Sequence, residues 1–234
     1  MICVGRRATR SRSKALATIG YAARVNFFGH AAAACRVDDD PAFVLGAMAP
    51  DLLPLCGAVA ERETSPKVAS GRAHHVAVDA QFHANPAFTA MQAWAARELI
   101  RAGVPRGPAR GAAHVGIELL LDGALAGDAP ARAAYARSLA AADTTTGSPF
   151  VWRDEVSRVR WCGLVDRLRG GAVPASYRDC GFVADRVIGA LAGRPRLALG
   201  GDDATALRRF MPAVAARVTA EVQALAGDIV GFAG

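Results

Sequence analysis

Ionisable side chains recur four residues apart in two stretches of this 234-residue chain: His75, Asp79 and His83, then His114, Glu118 and Asp122. Residues four apart lie on one face of a helix, a turn above one another. Each set therefore forms a ladder. The second stretch also carries Ile117, Leu119, Leu120 and Leu121, and a helix that is apolar nearly all round is buried. Ionisable groups on such a helix need partners, because an isolated buried charge is very costly. Imidazole and carboxylate are ligand types that hold Zn, Mn or Fe. Two ladders facing each other across a helical bundle make a metal site, and that requirement constrains the fold more than anything else in the chain.

The remaining composition agrees with helices. Alanine is frequent and aromatic residues make up only 6% of the chain, while runs of strand-forming residues are short and few. The expected fold is all-α, a single bundle of about eight helices over residues 25–234. The net charge of +7 is misplaced as a clue to nucleic acid. Residues 1–24 hold Arg6, Arg7, Arg10, Arg12, Lys14 and Arg24 and no acid, leaving only +1 for the rest. With no basic stripe interleaved with aromatics, nucleic-acid binding is not expected. The segment 1–24 reads as a basic, disordered extension or a wrongly chosen start, with an export or transit signal as the other reading. No apolar run reaches the roughly 20 residues that cross a bilayer. Five scattered cysteines without a CxxC pair suit reduced thiols in a cytoplasmic protein.

Along the chain, Asp40-Pro41 reads as an N-cap and first helical residue. Pro50 and Pro54 bracket Asp51 and place it at or just beyond that helix's end. Residues 57–70 look like a polar loop, a rim or lid over a site. Helices are expected over about 70–84, from the Asn85-Pro86 cap to 103, and over about 112–126, 129–142 and 148–169. Two more follow over 174–193 and 203–232, the last broken near Pro212.

Taken singly, each histidine reads as a hydrogen-bonded core residue more readily than as a ligand. The joint pattern changes that reading. His75 with Asp79 is the strongest pair and His114 with Glu118 the next. His30 heads an alanine run whose small side chains explain close helix packing but not the imidazole. Asp51 is either a ligand or a turn residue beside two prolines. The metal-ligand candidates are therefore His30, Asp51, His75, Asp79, His114 and Glu118. His83 is either a peripheral ligand or a surface residue. His74 points about 100° away from His75, so it or Arg72 would contact a substrate phosphate. Asp122 would orient a ligand imidazole from behind. These three make up the catalytic set. No GxGxxG, Walker, HExxH or GxSxG motif is present.

Val25-Asn-Phe-Phe-Gly-His30, Gly46-Ala-Met-Ala-Pro-Asp51 and His75-Val-Ala-Val-Asp79, in that order, resemble the acyl carrier protein phosphodiesterase family. Its members open with Asn-Phe-x-x-His, follow with Gly-x-x-x-x-Asp, and continue with a His-x-x-x-Asp helix and a later helix bearing an inward Asp. The resemblance covers about residues 25–125. It implies an HD-domain-like fold, a divalent metal, commonly Mn²⁺, and hydrolysis of the phosphodiester joining 4′-phosphopantetheine to a serine of holo acyl carrier protein. His30, Asp51, His75 and Asp79 match the motif by position, and Glu118 matches the later carboxylate loosely. Where the family has Trp-Asp-His-Phe this chain has Ile117-Glu-Leu-Leu, preceded by His114. That His-x-x-x-Glu also resembles the zinc-dependent phospholipase C and P1-type nuclease group. The expected function is a metal-dependent phosphodiester hydrolase using Mn, Fe or Zn. The alternatives are a phospholipase C-like or nucleotide phosphohydrolase, or a non-catalytic helical scaffold with a buried polar network.

Overall fold

The computed structural model describes residues 27–142, 147–171 and 173–230. Over these the chain forms eleven helices and one two-stranded ribbon, so it is mostly helical. The expectations for the basic segment 1–24 and for Val25 and Asn26 fall outside the described residues. No described helix is long and apolar enough to cross a membrane.

Asx and serine caps followed by proline punctuate the chain. Asp40 accepts a hydrogen bond from the Ala42 N–H, with Pro41 at the first helical position, and opens the second helix. Ser65 before Pro66, Asn85 before Pro86 and Asp128 two residues before Pro130 cap later helices in the same way. Each side-chain oxygen satisfies an N–H that has no intrahelical partner, and proline tolerates the first turn because its missing N–H is not needed there. The first six elements are α1 (Phe27–Val37), α2 (Pro41–Cys56), β1 (Ala60–Glu63), α3 (Pro66–Ala84), α4 (Pro86–Arg101) and α5 (Arg106–Leu125). They are followed by α6 (Ala129–Ala141), β2 (Phe150–Trp152), α7 (Glu155–Gly170), α8 (Val173–Ser176), α9 (Cys180–Ala192), α10 (Gly201–Ala220) and α11 (Val222–Val230).

Several expectations change. Pro50 and Pro54 lie inside α2, which runs on to a left-handed cap at Gly57 (φ 66°), so Asp51 is an interior helical residue. The expected loop over 57–70 contains a strand and the first turn of a helix, with short connections between them. Within it, β1 pairs antiparallel with β2, matching Glu63 to Phe150 and Ala60 to Trp152, and α3 begins at Pro66. The helix expected from 148 is preceded by β2 and starts at Glu155. The segment expected as one helix over 174–193 is split into α8 and α9. Pro212 is accommodated within α10, and the break comes at Glu221.

The buried apolar residues form one cluster. At its centre is α5, whose Val115, Ile117, Leu119, Leu120, Leu121 and Leu125 are all buried; it packs on α1, α4, α9 and α10. The half-buried Cys35, Cys56, Cys162 and Cys180 lie at the edge of this core. The α2–α3 contact is the closest in the fold for a specific reason. A Cβ on Gly46 would sit 2.2 Å from the Val68 carbonyl oxygen, and one on Gly71 would sit 2.0 Å from that of Phe43. Only glycine lets these two backbones touch, and the contact sets the depth to which the face of α3 enters the bundle.

Candidate metal centre

The close α2–α3 contact delivers His75 to the interior, where its Nδ1 donates to the Ala47 carbonyl of α2 at 2.9 Å. That bond fixes the ring and the tautomer, leaving Nε2 as the lone-pair nitrogen, which is how a metal-ligating histidine is usually held from behind. His30, one turn into α1, lies face to face with it at a ring separation of 3.8 Å. Asp51 of α2 reaches the His30 Nε2 at 3.7 Å, an ion-pair distance rather than a hydrogen bond. Asp79 completes a trio with His30 and His75 whose donor atoms all lie within 4.8 Å of one another. Asp51 is adjacent but outside that trio. His30, Asp51 and His75 are buried, and Asp79 is partly open to solvent.

One turn further along α3 lies a second group. The His83 Nδ1 is 3.3 Å from Asp79 Oδ1, and its Nε2 is 3.1 Å from Glu118 Oε1 of α5. The same Glu118 oxygen is 3.1 Å from the His114 Nε2. The two rings stack 5.0 Å apart and nearly parallel, with the edge of Phe88 against both. Behind His114, the Gln92 side chain of α4 bonds Nδ1 at 2.9 Å. The donor atoms of His83, His114 and Glu118 again lie within 4.8 Å of one another. Sequence spacing left His83 undecided between ligand and surface; the structure puts it at the junction of both groups. Gln92 was not anticipated, because an amide on the neighbouring helix has no spacing relation to the ladders.

The charges follow from these contacts. The carboxylates of Asp79 and Glu118 hold His83 as an imidazolium and raise its pKa to about 10, against a burial effect that lowers it. Burial works to raise Asp79. The hydrogen bond and charge of His83, with the nearby His30 and His75, outweigh it and bring the carboxyl down to about 2. Glu118 is wholly buried, which works to raise it, yet hydrogen bonds from His114 and His83 hold it below its ordinary value.

The catalytic set expected from sequence lies elsewhere. Asp122 accepts the Gly29 N–H at 2.7 Å and the Phe28 N–H at 3.2 Å. It thus accepts two N–H groups of the first turn of α1 from a distant helix, as a capping side chain does. Burial pushes its carboxyl well above the ordinary value. It acts on His30 through the helix that carries it. Arg72 bonds Glu63 of β1 at 2.5 Å, and His74 packs on the Phe43 ring, its pKa lowered by burial. Neither belongs to the two groups. A separate cavity of about 340 Å³, lined by Tyr135, Leu139, Leu168 and Pro174 among others, shares no residue with them. Its walls are mostly apolar; among the described residues they include Arg132 and Arg169 and no histidine or carboxylate.

No protein-family model, curated protein or solved structure matches this chain.

Proposed function

We propose that the chain is a metal-dependent phosphodiester hydrolase whose cation is held by His30, His75 and Asp79, with Asp51 beside them. The observation that carries this reading is the convergence of two buried imidazoles and a carboxylate within 4.8 Å, one ring anchored through its far nitrogen by Ala47. The donor set suits Mn, Fe or Zn. A divalent cation in such a place activates water as a nucleophile and offsets charge on phosphoryl oxygens. The chain's own residues do the rest. Asp51 and Asp79 balance the positive charge gathered there. Asp79, His83 and His114 are the partly exposed members, so a phosphodiester reaches the centre from their side. Phosphate contact by Arg72 requires its pair with Glu63 to open.

The finer reading is an HD-domain-like enzyme acting in the cytoplasm on holo acyl carrier protein. It is supported by the order of the His30, Asp51 and His75–Asp79 segments in sequence. A second reading has its own observation: Asp79, His83, Glu118 and His114 satisfy one another without a cation, as the polar network of a non-catalytic scaffold would.

Elemental analysis of purified protein before and after chelation, with melting followed in parallel, separates the two. The hydrolase reading expects bound metal whose removal lowers the melting point, and release of 4′-phosphopantetheine or cleavage of bis-p-nitrophenyl phosphate. His75→Ala and Asp79→Ala lose the ion of this centre and the turnover with it. Unchanged metal content and turnover in those variants overturn the reading, and melting indifferent to chelation supports the scaffold.

A further inference from the structure

We infer that the chain holds a second divalent cation, on the Nε2 atoms of His83 and His114 and the Oε1 of Glu118, linked to the first through Asp79. This deepens the hydrolase reading and shares Asp79 with it, yet it stands on geometry of its own. Donors about 2.1 Å from a tetrahedral ion sit roughly 3.4 Å from one another. Here both Nε2 atoms lie 3.1 Å from one carboxylate oxygen. The side chains are thus spaced close to a coordination shell; a small outward movement admits the ion as the proton on the His83 Nε2 leaves to solvent.

The far nitrogen of each ring is also engaged. The His114 Nδ1 lies 2.9 Å from the Gln92 amide nitrogen; turned over, that amide presents its carbonyl oxygen to accept the Nδ1–H of a ring that ligates through Nε2. The His83 Nδ1 faces the Asp79 carboxylate. An imidazole pinned at one nitrogen by a carboxylate or amide, with the other aimed at a shared point, is the arrangement that orients metal ligands. In the first group the Ala47 carbonyl holds His75 in the same way. The second group is the more open of the two. The side chains of His83 and His114 are 33% and 19% exposed, against 3% for His30. A phosphoryl oxygen therefore meets the second cation before the first.

Asp79 gives the pair its coupling. It donates an oxygen to the inner group and holds the His83 ring for the outer one, so the linkage runs carboxylate to imidazole rather than through one shared ligand atom. Filling the inner position fixes Asp79 and, through it, His83. Loading of the outer position then follows more readily.

The test is a count. Full-length chain is stripped with chelator, reloaded with Mn²⁺, desalted and assayed for Mn per chain, with Mn²⁺ paramagnetic resonance reporting whether bound ions are neighbours. Two ions per chain with spin coupling are expected. His114→Gln should retain one, and His75→Ala should retain the other. Gln92→Ala leaves every ligand in place and should weaken the outer ion by roughly 10–100-fold; it serves if His114→Gln does not fold. A single ion indifferent to His114→Gln and Gln92→Ala overturns the inference. A single ion lost in His114→Gln and kept in His75→Ala upholds the outer site and sinks the inner one, and with it the proposed function as stated.

Discussion

The two histidine groups use the same chemistry but are built differently. The inner one draws on three helices: His30 from α1, Asp51 from α2, and His75 and Asp79 from α3. Its geometry depends on backbone contacts far from any ligand atom, namely the glycine-mediated α2–α3 approach and the Asp122 cap on α1. The outer group takes His83 from α3 and the i, i+4 pair His114–Glu118 from α5, so much of it is set by the pitch of a single helix. Depth thus comes with dependence on long-range packing, and openness with local determination.

Substitutions should separate the two by how far their effects spread. The largest effect is expected for His75→Ala, which removes a fully buried donor: phosphodiester turnover falls to background while the outer ion, counted by elemental analysis, is retained. Asp122→Ala removes the acceptor of the buried Phe28 N–H and of the partly buried Gly29 N–H, at about 1–3 kcal/mol for the buried one. In a chain of this size each kcal/mol lowers the melting temperature by about 2–4 °C, and calorimetry should show that loss together with weaker inner-site binding. Gly71→Ala forces the α2–α3 backbones apart at a cost of about 1–3 kcal/mol, and it should reduce affinity at the inner group far more than at the outer.

The outer group responds to pH instead. His83 is raised in the fold from 6.5 to about 10, so its stabilising contribution is full below about pH 6.5 and is lost as pH rises toward 10. Asp79 is lowered from 3.8 to about 2, so its contribution is present above about pH 4 and is lost on acidification toward 2. Melting of metal-stripped protein against pH should show both flanks, and His83→Gln should flatten the alkaline one. The smallest effect is expected for Arg72→Ala. An exposed ion pair is worth about 0–1 kcal/mol, and metal content should be unaffected. A large loss of turnover in this variant at unchanged melting temperature would place Arg72 on the substrate after all.

What could be read from sequence follows the same division. The ladders on α3 and α5 and the caps at Asp40 and Asn85 depend on neighbours within four residues, and sequence spacing reports such neighbours directly. The path of α2 through Pro50 and Pro54 was misread. Each proline removes one N–H, yet the surrounding apolar turns, Leu45, Met48, Leu52 and Leu53, are buried and hold the helix together. The pairing of β1 with β2 joins segments of four and three residues separated by nearly ninety positions, too short for an alternating pattern to register. Asp122 was correctly read as buried and inward, but its partner was not. Spacing shows which face a carboxylate occupies and is silent about the helix start lying opposite.

That cap has a consequence for the order in which the molecule is made. Phe28 and Gly29 receive their acceptor from a residue more than ninety positions downstream. At synthesis rates of about 5–20 residues per second, the start of α1 waits roughly 5–20 s for it. During that interval His30, Asp51, His75 and Asp79 have all been synthesised, with the Asp122 contact at the start of α1 still missing. On the proposed function, a nascent chain would offer loose donors until residue 122 has emerged, and ion selection would follow that point.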